Sequence, residues 1–238
     1  MSSELEGTPV GRRLVLGLLG VGAAGVVTGR SIQDWLAGQL SAIQRKDPTG
    51  LTDLLPLGNN FRYYSVVGSV EPRDATTYEL AITGLVDRPV TYTLPQLQAM
   101  AQQDLTLDFQ CVTGWRVLDV PWRGVLLSDL LEAAGVQPAA NSLRFTCFDG
   151  AYTESLTLDQ ARRDDVIVAL EMLGGPITHD HGGPVRLYVG PMYGYKSAKW
   201  LSGIEVTGEV QRGYWEKRGY DIDAWVGQSN GRNDVPTS

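Results

Sequence analysis

The side chains of this sequence that could bind a metal or carry redox chemistry are few: two cysteines, Cys111 and Cys147, and two histidines, His179 and His181. These counts exclude a zinc site of three histidines or of four cysteines, and a mixed site would consume all four residues. The cysteines could instead form a disulfide, because both are placed at the ends of predicted strands. From residue types alone, metal ligand and disulfide are both open for Cys111.

The segment 179–200 (HDHGGPVRLYVGPMYGYKSAKW) is a second candidate for chemistry. It carries three cations, Arg186, Lys196 and Lys199, against one acid, Asp180, and is therefore basic within a chain of net charge −7. Such a glycine-rich, basic stretch predicts a cradle for an anion, in which Arg186 offers a planar fork for phosphate. Backbone amides beside its glycine pair or in its Ser-Ala pair could add neutral donors. The alternative is a set of cations that reach solvent at a sheet edge.

Composition excludes several functions. With 43% hydrophobic and 20% charged residues, the 238-residue chain can bury a substantial core. Its net charge of −7 argues against nucleic-acid binding, which needs a basic surface. The Gly-x-Ser-x-Gly match at 227–231 lies in the predicted C-terminal tail and not between a predicted strand and a helix, so a serine hydrolase has no support.

The N-terminal segment has the pattern of an export signal. Arg12-Arg13 precede about 16 uncharged, mostly apolar residues, a length typical of a signal peptide and short for a membrane span. An arginine pair before a glycine-rich apolar run resembles a twin-arginine signal. No Ala-x-Ala cleavage site follows, so the segment could be retained as an anchor; the other alternative is a buried helix. The run 20–25 (GVGAAG) matches the dinucleotide fingerprint, but no βαβ pattern follows it.

The rest of the chain has the pattern of an α+β domain with many strands and few short helices. Leu105, Leu107 and Phe109 alternate with polar residues, so a half-buried strand delivers Cys111 at its end. Other strands are predicted at 78–83, 143–147, 166–170, 185–189 and 203–206. Short helices are predicted from Thr93-x-x-Gln96 to about Gln103, at 126–134, and after Thr157-x-x-Gln160.

Three clusters together resemble the oxidoreductase molybdopterin-binding domain, the family of sulfite oxidase, assimilatory nitrate reductase and the periplasmic methionine-sulfoxide reductase catalytic subunit. They are 59–64 (NNFRYY), 109–115 (FQCVTGW) with the later WRGV, and 179–200; GYWEKRGY at 213–220 is similar to a closing segment of small bacterial members. The resemblance implies the α+β sulfite-oxidase fold, with mixed sheets and short helices. The chain then divides into a twin-arginine-like signal or membrane anchor (1–30), a linker (31–54), the molybdopterin-binding domain (55–226) and a C-terminal tail (227–238).

The resemblance also implies roles for individual residues. Cys111 would be the catalytic residue and the single protein ligand of a mononuclear molybdenum held by one molybdopterin. A soft thiolate suits this metal, which would cycle between Mo(VI) and Mo(IV) and transfer one oxygen atom and two electrons. The cofactor contacts carried over are Asn59, Arg62, Tyr63, Cys147 (or its neighbour Thr146), His181, Arg186, Ser197, Ala198 and Lys199. His179-x-His181 would then serve the cofactor and no separate metal.

The residues after Cys111 differ from those of sulfite oxidases. Those enzymes carry Cys-Ala-Gly-Asn-Arg-Arg, whereas this chain has Cys-Val-Thr-Gly-Trp-Arg, which is closer to the methionine-sulfoxide reductase group. No arginine or lysine occurs from residue 89 to 110, where sulfite oxidases place a substrate-binding arginine, although Arg116 or Arg62 could substitute. The loop between Cys147 and Val185 is much shorter than in the reductase, so substrate specificity is open.

We therefore expect an exported, periplasmic or extracytoplasmic oxidoreductase that reduces a small S- or N-oxide. Its electrons would come from a membrane haem subunit or a soluble cytochrome, because two close histidines cannot bind haem axially from separate loops and no haem is expected in this chain. The alternatives are a sulfite-oxidase-type sulfite dehydrogenase, a cofactor-bearing subunit whose substrate surface belongs to a partner, and a non-catalytic binding module with a Cys111–Cys147 disulfide.

Overall fold

The computed structural model describes residues 61, 64–113 and 115–228 of the chain. In this part, ten strands form two five-stranded sheets, with three short α-helices and two 3₁₀ turns. No helix of these residues is long and apolar enough to cross a membrane. The predicted signal or anchor and the linker lie outside the described residues and stay predictions, as do the boundaries of the domain and tail.

The strands are β1 (Glu79–Gly84), β2 (Val90–Thr93), β3 (Gln103–Gln110), β4 (Arg116–Leu126), β5 (Ser142–Cys147), β6 (Thr153–Thr157), β7 (Val166–Met172), β8 (Gly175–Pro176), β9 (Arg186–Val189) and β10 (Leu201–Thr207). The helices are α1 (Leu94–Ala99), α2 (Leu127–Ala134) and α3 (Leu158–Ala161), and the 3₁₀ turns are Gly194–Lys196 and Glu216–Arg218. Every strand and helix that the sequence predicts is present, and the α+β class with short helices is confirmed.

The two sheets differ in strand direction. The first has the order β2-β1-β10-β5-β6, and the second has the order β3-β4-β7-β8 with β9 also paired to β7. Strands β1 and β10 run parallel, with Ala81 beside Gly203, whereas the other pairings between these strands are antiparallel. The first sheet is therefore mixed, and its centre joins an early strand to the last one.

Capping signals set the start of α1, and a side chain sets its end. The Thr93 N–H donates to Gln96 Oε1 at 2.8 Å, as in a capping box. The helix ends at Ala99, earlier than the predicted end near Gln103. There, Gln102 Nε2 donates to two carbonyls of the last turn at 2.9 Å each, and Gln103 already begins β3. The predicted helix end is therefore wrong by about one turn.

The sequence does not predict β4, which is the longest strand of the described residues. Asp119 has a positive φ of 50° and Pro121 follows shortly after, and both residues argue against a central strand. In the structure the Asp119 N–H donates to Asp108 Oδ1 at 3.0 Å. Pro121 pairs with Thr106 of β3, while the pairing with β7 starts at Trp122. Both residues therefore lie where β4 has a ladder partner on one side.

Strand β7 separates two packed clusters, because its side chains alternate between the faces of the second sheet. One face contributes to a large, mostly aliphatic cluster, the aliphatic core, which includes Val166, Val168 and Leu170 together with residues of the first sheet and α2. The other face contributes to the aromatic cluster, whose buried members are Phe109, Trp115, Val117, Val120, Trp122, Ile167, Ala169, Met172, Ile177 and Tyr188. Cys111 packs against the aromatic cluster.

Candidate functional site

A cavity of about 380 Å³ lies beside the end of β3. Six side chains that the sequence predicts for the site line it together, namely Cys111, His181, Arg186, Ser197, Ala198 and Lys199. Aromatic side chains supply much of the remaining wall, namely Phe61, Tyr64, Phe109, Trp115, Tyr152, Tyr195, Trp200, Trp215 and Tyr220. The fold thus gathers one thiol, two strong cations and an apolar wall in one place.

Cys111 directly follows β3 and lines the cavity with a partly exposed side chain. Its N–H donates to Trp115 O at 2.8 Å, so the chain turns back tightly behind it. Its Sγ lies 3.2 Å from Thr113 Oγ1. A free, accessible thiol at the end of a strand is fixed in position and available as a ligand.

Cys147 occupies a different environment. It ends β5 in the aliphatic core with 6% of its surface exposed, and burial raises the pKa of its thiol well above the usual range. Neither Cys147 nor Thr146 lines the cavity, and the cofactor contact expected at this position stays a prediction. Both cysteines are free thiols, so the disulfide alternative is not realised.

Arg186 begins β9 and is 3% exposed. Its Nη1 donates to His181 O at 2.7 Å, and its Nη2 donates to Ser197 O at 2.8 Å. The guanidinium carbon lies 5.4 Å from the centroid of the Phe109 ring. Burial lowers the pKa of Arg186 to about 10, and within the described part of the chain no carboxylate forms an ion pair with it. The cation is therefore buried at the cavity wall without a counter-charge from these residues.

Lys199 and His181 line the cavity near this cation. Lys199 Nζ donates to Asp180 O at 3.2 Å and lies 4.1 Å from the centroid of the Trp200 ring. Burial, and after it the charge of Arg186, lowers the pKa of Lys199 to about 8. Burial also lowers the pKa of His181, with Arg186 and Lys199 adding to the effect. These pKa values fall mainly because the groups are buried, and the positive charge concentrated here adds to the effect, as it does where a protein receives an anion.

Ser197 and Ala198 line the cavity, but their amides are not the free donors that the sequence analysis expects. The Ser197 N–H donates to Gly194 O at 3.1 Å, and the Ala198 N–H donates to Lys196 O at 3.2 Å. The amides of the glycine pair 182–183 likewise donate to carbonyls of the preceding turn at 2.9 Å. The expected contribution of these four amides is wrong, because tight turns already use them.

Lys196 is the exception within the basic segment. Its side chain is fully buried, and Nζ donates to Glu154 Oε1 at 2.9 Å and also to Glu216 Oε1. Two carboxylates therefore neutralise it away from the cavity, which it does not line. The positive charge of the predicted anion cradle is supplied by Arg186 and Lys199 alone among the three cations of 179–200.

Besides Cys147, one described residue predicted for the site does not line the cavity, and three predicted residues are not described. Asn59, Arg62 and Tyr63 lie outside the described residues, so their roles stay predictions. His179 is described and does not line the cavity; its carbonyl accepts a hydrogen bond from Trp200 Nε1 at 3.0 Å. Of the pair His179-x-His181, the second histidine is therefore the one that lines the cavity.

Sequence reasoning missed most of the aromatic wall. The Tyr152 hydroxyl donates to Tyr195 O at 2.5 Å, and the Tyr195 hydroxyl donates to Asp221 O at 2.7 Å. Trp215 and Tyr220 complete this side of the cavity. The signal was the density of aromatic residues near 195 and in 213–220, which the sequence analysis noted as a closing segment and not as a cavity wall.

Comparison with known proteins identifies the family of this arrangement. The family model described as "Oxidoreductase molybdopterin binding domain" matches residues 67–215. The uncharacterized oxidoreductase YuiH of Bacillus subtilis is 37% identical over 157 residues, which are 65% of this chain and 79% of that protein. The putative protein-methionine-sulfoxide reductase subunit YedZ1 of Azospira oryzae is 30% identical over 188 residues, 77% of this chain and 70% of that one.

More distant proteins match over a smaller share of their own length. Sulfite oxidase of Arabidopsis thaliana is 28% identical over 180 residues, covering 61% of this chain and 46% of its own. The crystal structure of the sulfane dehydrogenase SoxCD from Paracoccus pantotrophus has the same fold, with a TM-score of 0.55 at 24% identity over 59% of this chain and 41% of that chain. The predicted fold, the oxidoreductase class and the Mo-molybdopterin cofactor are thereby confirmed. The chain belongs to the oxidoreductase molybdopterin-binding domain family.

Proposed function

We propose that this chain is an exported enzyme in which Cys111 ligates the molybdenum of Mo-molybdopterin and an S- or N-oxide loses its oxygen atom. One observation carries the proposal: the accessible Cys111 thiol and the cations Arg186 and Lys199 line the same cavity. A thiolate is a soft metal ligand, and cations suit the anionic phosphate of the cofactor. The thiol is thus available to the metal and the cations are available to the phosphate of the same bound cofactor.

The residues present fit such a molecule. Arg186 Nε and Trp115 Nε1 are buried and have no hydrogen-bond partner, although both side chains line the cavity. Buried donors are almost always satisfied in folded proteins, so a bound, hydrogen-bonding anion accounts for them. The lowered pKa of Lys199 points the same way, because an anion would favour the charged form of this side chain.

The chain's own contribution is to bind, orient and exclude water. When bound, the cofactor supplies oxygen-atom transfer coupled to two electrons. The hydrogen bond from the Cys111 N–H to Trp115 fixes the backbone that carries the thiol. The carbonyls of His181 and Ser197 fix the guanidinium of Arg186. The aromatic wall keeps the reacting centre dry and so strengthens each of these electrostatic contacts.

The wall beside Cys111 supports a neutral substrate. Apart from the uncharged Thr113, the cavity-lining residues nearest to it in sequence or packed on its loop are apolar or aromatic, namely Phe61, Tyr64, Phe109, Val112 and Trp115. Arg116, a candidate substitute for the sulfite-binding arginine, does not line the cavity. Sulfite is an anion that needs a cation beside the metal, whereas an S- or N-oxide has no net charge. The reduction of such an oxide is therefore favoured over sulfite oxidation.

Export and a separate electron donor complete the proposal. The Arg12-Arg13 pair and the apolar run after it support twin-arginine export, with the same segment as a candidate membrane anchor. Two relatives are named as subunits of a methionine-sulfoxide reductase, which supports a partner protein such as a membrane haem subunit or a soluble cytochrome. Cell fractionation of the full chain against an Arg12→Lys, Arg13→Lys variant tests the export; equal distribution of the two proteins would contradict it.

The roles of the two cysteines are tested by a matched pair of serine variants. We expect Cys111→Ser to lose nearly all oxide reductase activity and the thiolate character of the Mo(V) EPR signal, because the metal loses its protein ligand. Cys147→Ser should keep both, since Cys147 lies outside the cavity. Molybdenum and pterin contents are measured on both proteins. Equal loss of activity in the two variants, or wild-type protein with far less than stoichiometric molybdenum, would overturn the proposal.

The substrate is tested by steady-state assays of the loaded enzyme with artificial electron carriers. Methionine sulfoxide and trimethylamine oxide represent the two oxide classes, and sulfite represents the alternative. We expect kcat/KM for at least one oxide to exceed that for sulfite by about a hundredfold, because burying an unpaired anion costs several kcal/mol. Faster turnover of sulfite would assign the chain to the sulfite dehydrogenases.

A further inference from the structure

Behind the aromatic wall lies a cluster of three charged side chains that the proposed chemistry does not use. Lys196 of the first 3₁₀ turn donates to Glu154 of β6 and to Glu216 of the second 3₁₀ turn, and all three side chains are completely buried. We name these residues the buried triad. Glu154 Oε2 has no hydrogen-bond partner, although it is buried. Such a group needs an explanation, because buried charges are costly to a fold.

Counting charges indicates that the buried triad holds a proton. Two carboxylates and one ammonium would carry a net charge of −1 if all three were ionised, and burial strongly disfavours a net charge. Burial, against the opposing attraction of Lys196, raises the pKa of Glu154 to about 8. At neutral pH the triad is then a carboxylic acid, an ammonium and a carboxylate, with no net charge. The proton is assigned to Glu154, whose buried Oε2 has no hydrogen-bond partner.

The buried triad joins the three segments that form one side of the cavity. Tyr152 precedes β6 and its Glu154, Tyr195 precedes Lys196, and Trp215 precedes Glu216, and each of these aromatic residues lines the cavity. Each charged residue therefore anchors an aromatic residue next to it or two positions away.

The backbone of the closing segment is fitted to the same contact. The Gly213 N–H donates to Glu216 Oε2, and the Tyr214 N–H donates to Thr153 O at 2.8 Å. A Cβ at Gly213 would lie 2.6 Å from Thr153 O and 3.0 Å from Glu154 Oε1, so glycine is required for this approach. The segment 213–220 is thus held on β6 by close contact that depends on the triad.

We propose that Glu154, Lys196 and Glu216 are positioning residues that form a proton-dependent clamp, which holds the aromatic wall of the cavity in place. Opening the clamp exposes Glu154 to water and releases its proton; closing the clamp takes a proton up again. The clamp acts on the shape of the cavity. This role rests on the proposed function of the cavity but does not depend on which oxide is the substrate.

Of the charged and titratable groups around the triad, Tyr152 and Cys147 interact electrostatically with Glu154, and Arg212 Nη1 donates to Glu216 O at 3.3 Å. Burial raises the pKa values of Tyr152 and Cys147 well above their usual ranges, so both are neutral between pH 5 and 8. Lys196 stays charged there, because Glu154 and Glu216 raise its pKa despite burial. Glu154 is therefore the group of this cluster whose proton is released in that range.

Linkage fixes the sign of the pH dependence. An exposed Glu154 carboxyl has the usual pKa near 4.5, whereas the closed clamp raises it to about 8, so opening releases a proton between these values. Protection of the amides in 213–220 should therefore be greatest near pH 5 and fall by up to about tenfold per pH unit until about pH 8. Above that pH the dependence should level off.

The test is hydrogen exchange, followed by mass spectrometry, on the full chain loaded with cofactor. Protection of 213–220 is measured between pH 5.5 and 7.5 and corrected for the intrinsic pH dependence of amide exchange. We expect wild-type protection to fall at least about tenfold over this range. Glu154→Gln keeps the shape of the protonated carboxyl and cannot ionise, so its protection should change less than about twofold. Glu205→Gln, at a partly exposed ion pair with Arg144, should behave as wild type.

Two results would overturn the proposal. One is wild-type protection that does not depend on pH over this range, and the other is a Glu154→Gln variant that keeps the wild-type slope. Peptides of β7 serve as the internal control, because that strand is buried and does not contact the triad in the described hydrogen bonds. Melting temperatures of the three proteins show that each is folded, so that a changed slope reports the clamp and not global unfolding.

Discussion

Arg186 and Lys196 lie ten residues apart in one segment, both buried, and their surroundings are opposite. Arg186 contacts two carbonyls and the Phe109 ring, has an unused Nε donor and lines the cavity. Lys196 contacts two carboxylates and lines no cavity. Burial lowers the pKa of Arg186, whereas the carboxylates raise the pKa of Lys196 against the effect of burial. A buried cation without a counter-charge is suited to bind an anionic ligand. A buried cation that contacts carboxyl groups of the same protein instead joins segments of the fold.

The largest expected effect is on stability and comes from removing Lys196, the cation that contacts two carboxyl groups. Lys196→Met should lower the free energy of unfolding by about 3–5 kcal/mol, because two carboxyls lose their shared partner in a place without water. The measurement is urea unfolding of the full chain at pH 7. Lys217→Met, which removes an exposed lysine in the neighbouring 3₁₀ turn, is the control and should change little. A loss below about 1 kcal/mol for Lys196→Met would show that the triad does not stabilise the fold.

The second effect separates stability from ligand binding. Arg186→Met should reduce pterin and molybdenum retention by about 10- to 100-fold, because the cavity loses its buried cation. Its cost to the unfolding free energy of the cofactor-free protein should be smaller, about 1–3 kcal/mol, from two carbonyls left without donors. Cofactor content and urea unfolding are measured side by side, with Arg163→Met at a surface ion pair as the control. The comparison fails if Arg186→Met unfolds the protein as readily as Lys196→Met and retains the cofactor.

The smallest effect is on a neighbouring pKa. In the cofactor-free protein, Arg186→Met should raise the pKa of Lys199 from about 8 by about one unit, because the effect of burial remains while the repulsion disappears. The pH dependence of Lys199 acetylation, followed by mass spectrometry, reports this pKa, with the exposed Lys217 as internal reference. Bound cofactor should raise the same pKa in the wild type. An unchanged or lower pKa in the variant would mean that Arg186 does not act on Lys199.

Local sequence patterns predicted those elements that depend mainly on residues close together in the sequence. The alternation of Leu105, Leu107 and Phe109 gave the strand that ends at Cys111, and the capping residue Thr93 gave the start of α1. Strand β4 was missed because it contains residues that disfavour a central strand, such as Pro121. Pro121 is compatible with the strand because the pairing of β4 with β7 starts only at Trp122. That pairing depends on residues far away in the sequence, which no local pattern contains.

The site shows the same division. Cys111, Arg186 and Lys199 could be predicted because the motifs that contain them are continuous segments, and all three line the cavity. The role of Lys196 could not be predicted, because its partners are 42 and 20 residues away and are brought to it by tertiary structure. The position of Cys147 in the aliphatic core could not be predicted for a related reason, since a strand end in the sequence does not reveal whether it faces a cavity or a core.

The parallel pairing of β1 with β10 has a consequence for the synthesis of the protein. Ala81 lies beside Gly203, so the middle of the first sheet cannot form until β10 leaves the ribosome, about 120 residues after β1. Until then, β5 also lacks its neighbour β10, and the segments of the cavity wall are not all present. Long-range pairing of this kind folds slowly and late. The cavity therefore cannot be assembled for the cofactor before β10 and the wall residues up to Tyr220 have been synthesised, and a chain that ends before them offers no assembled cavity.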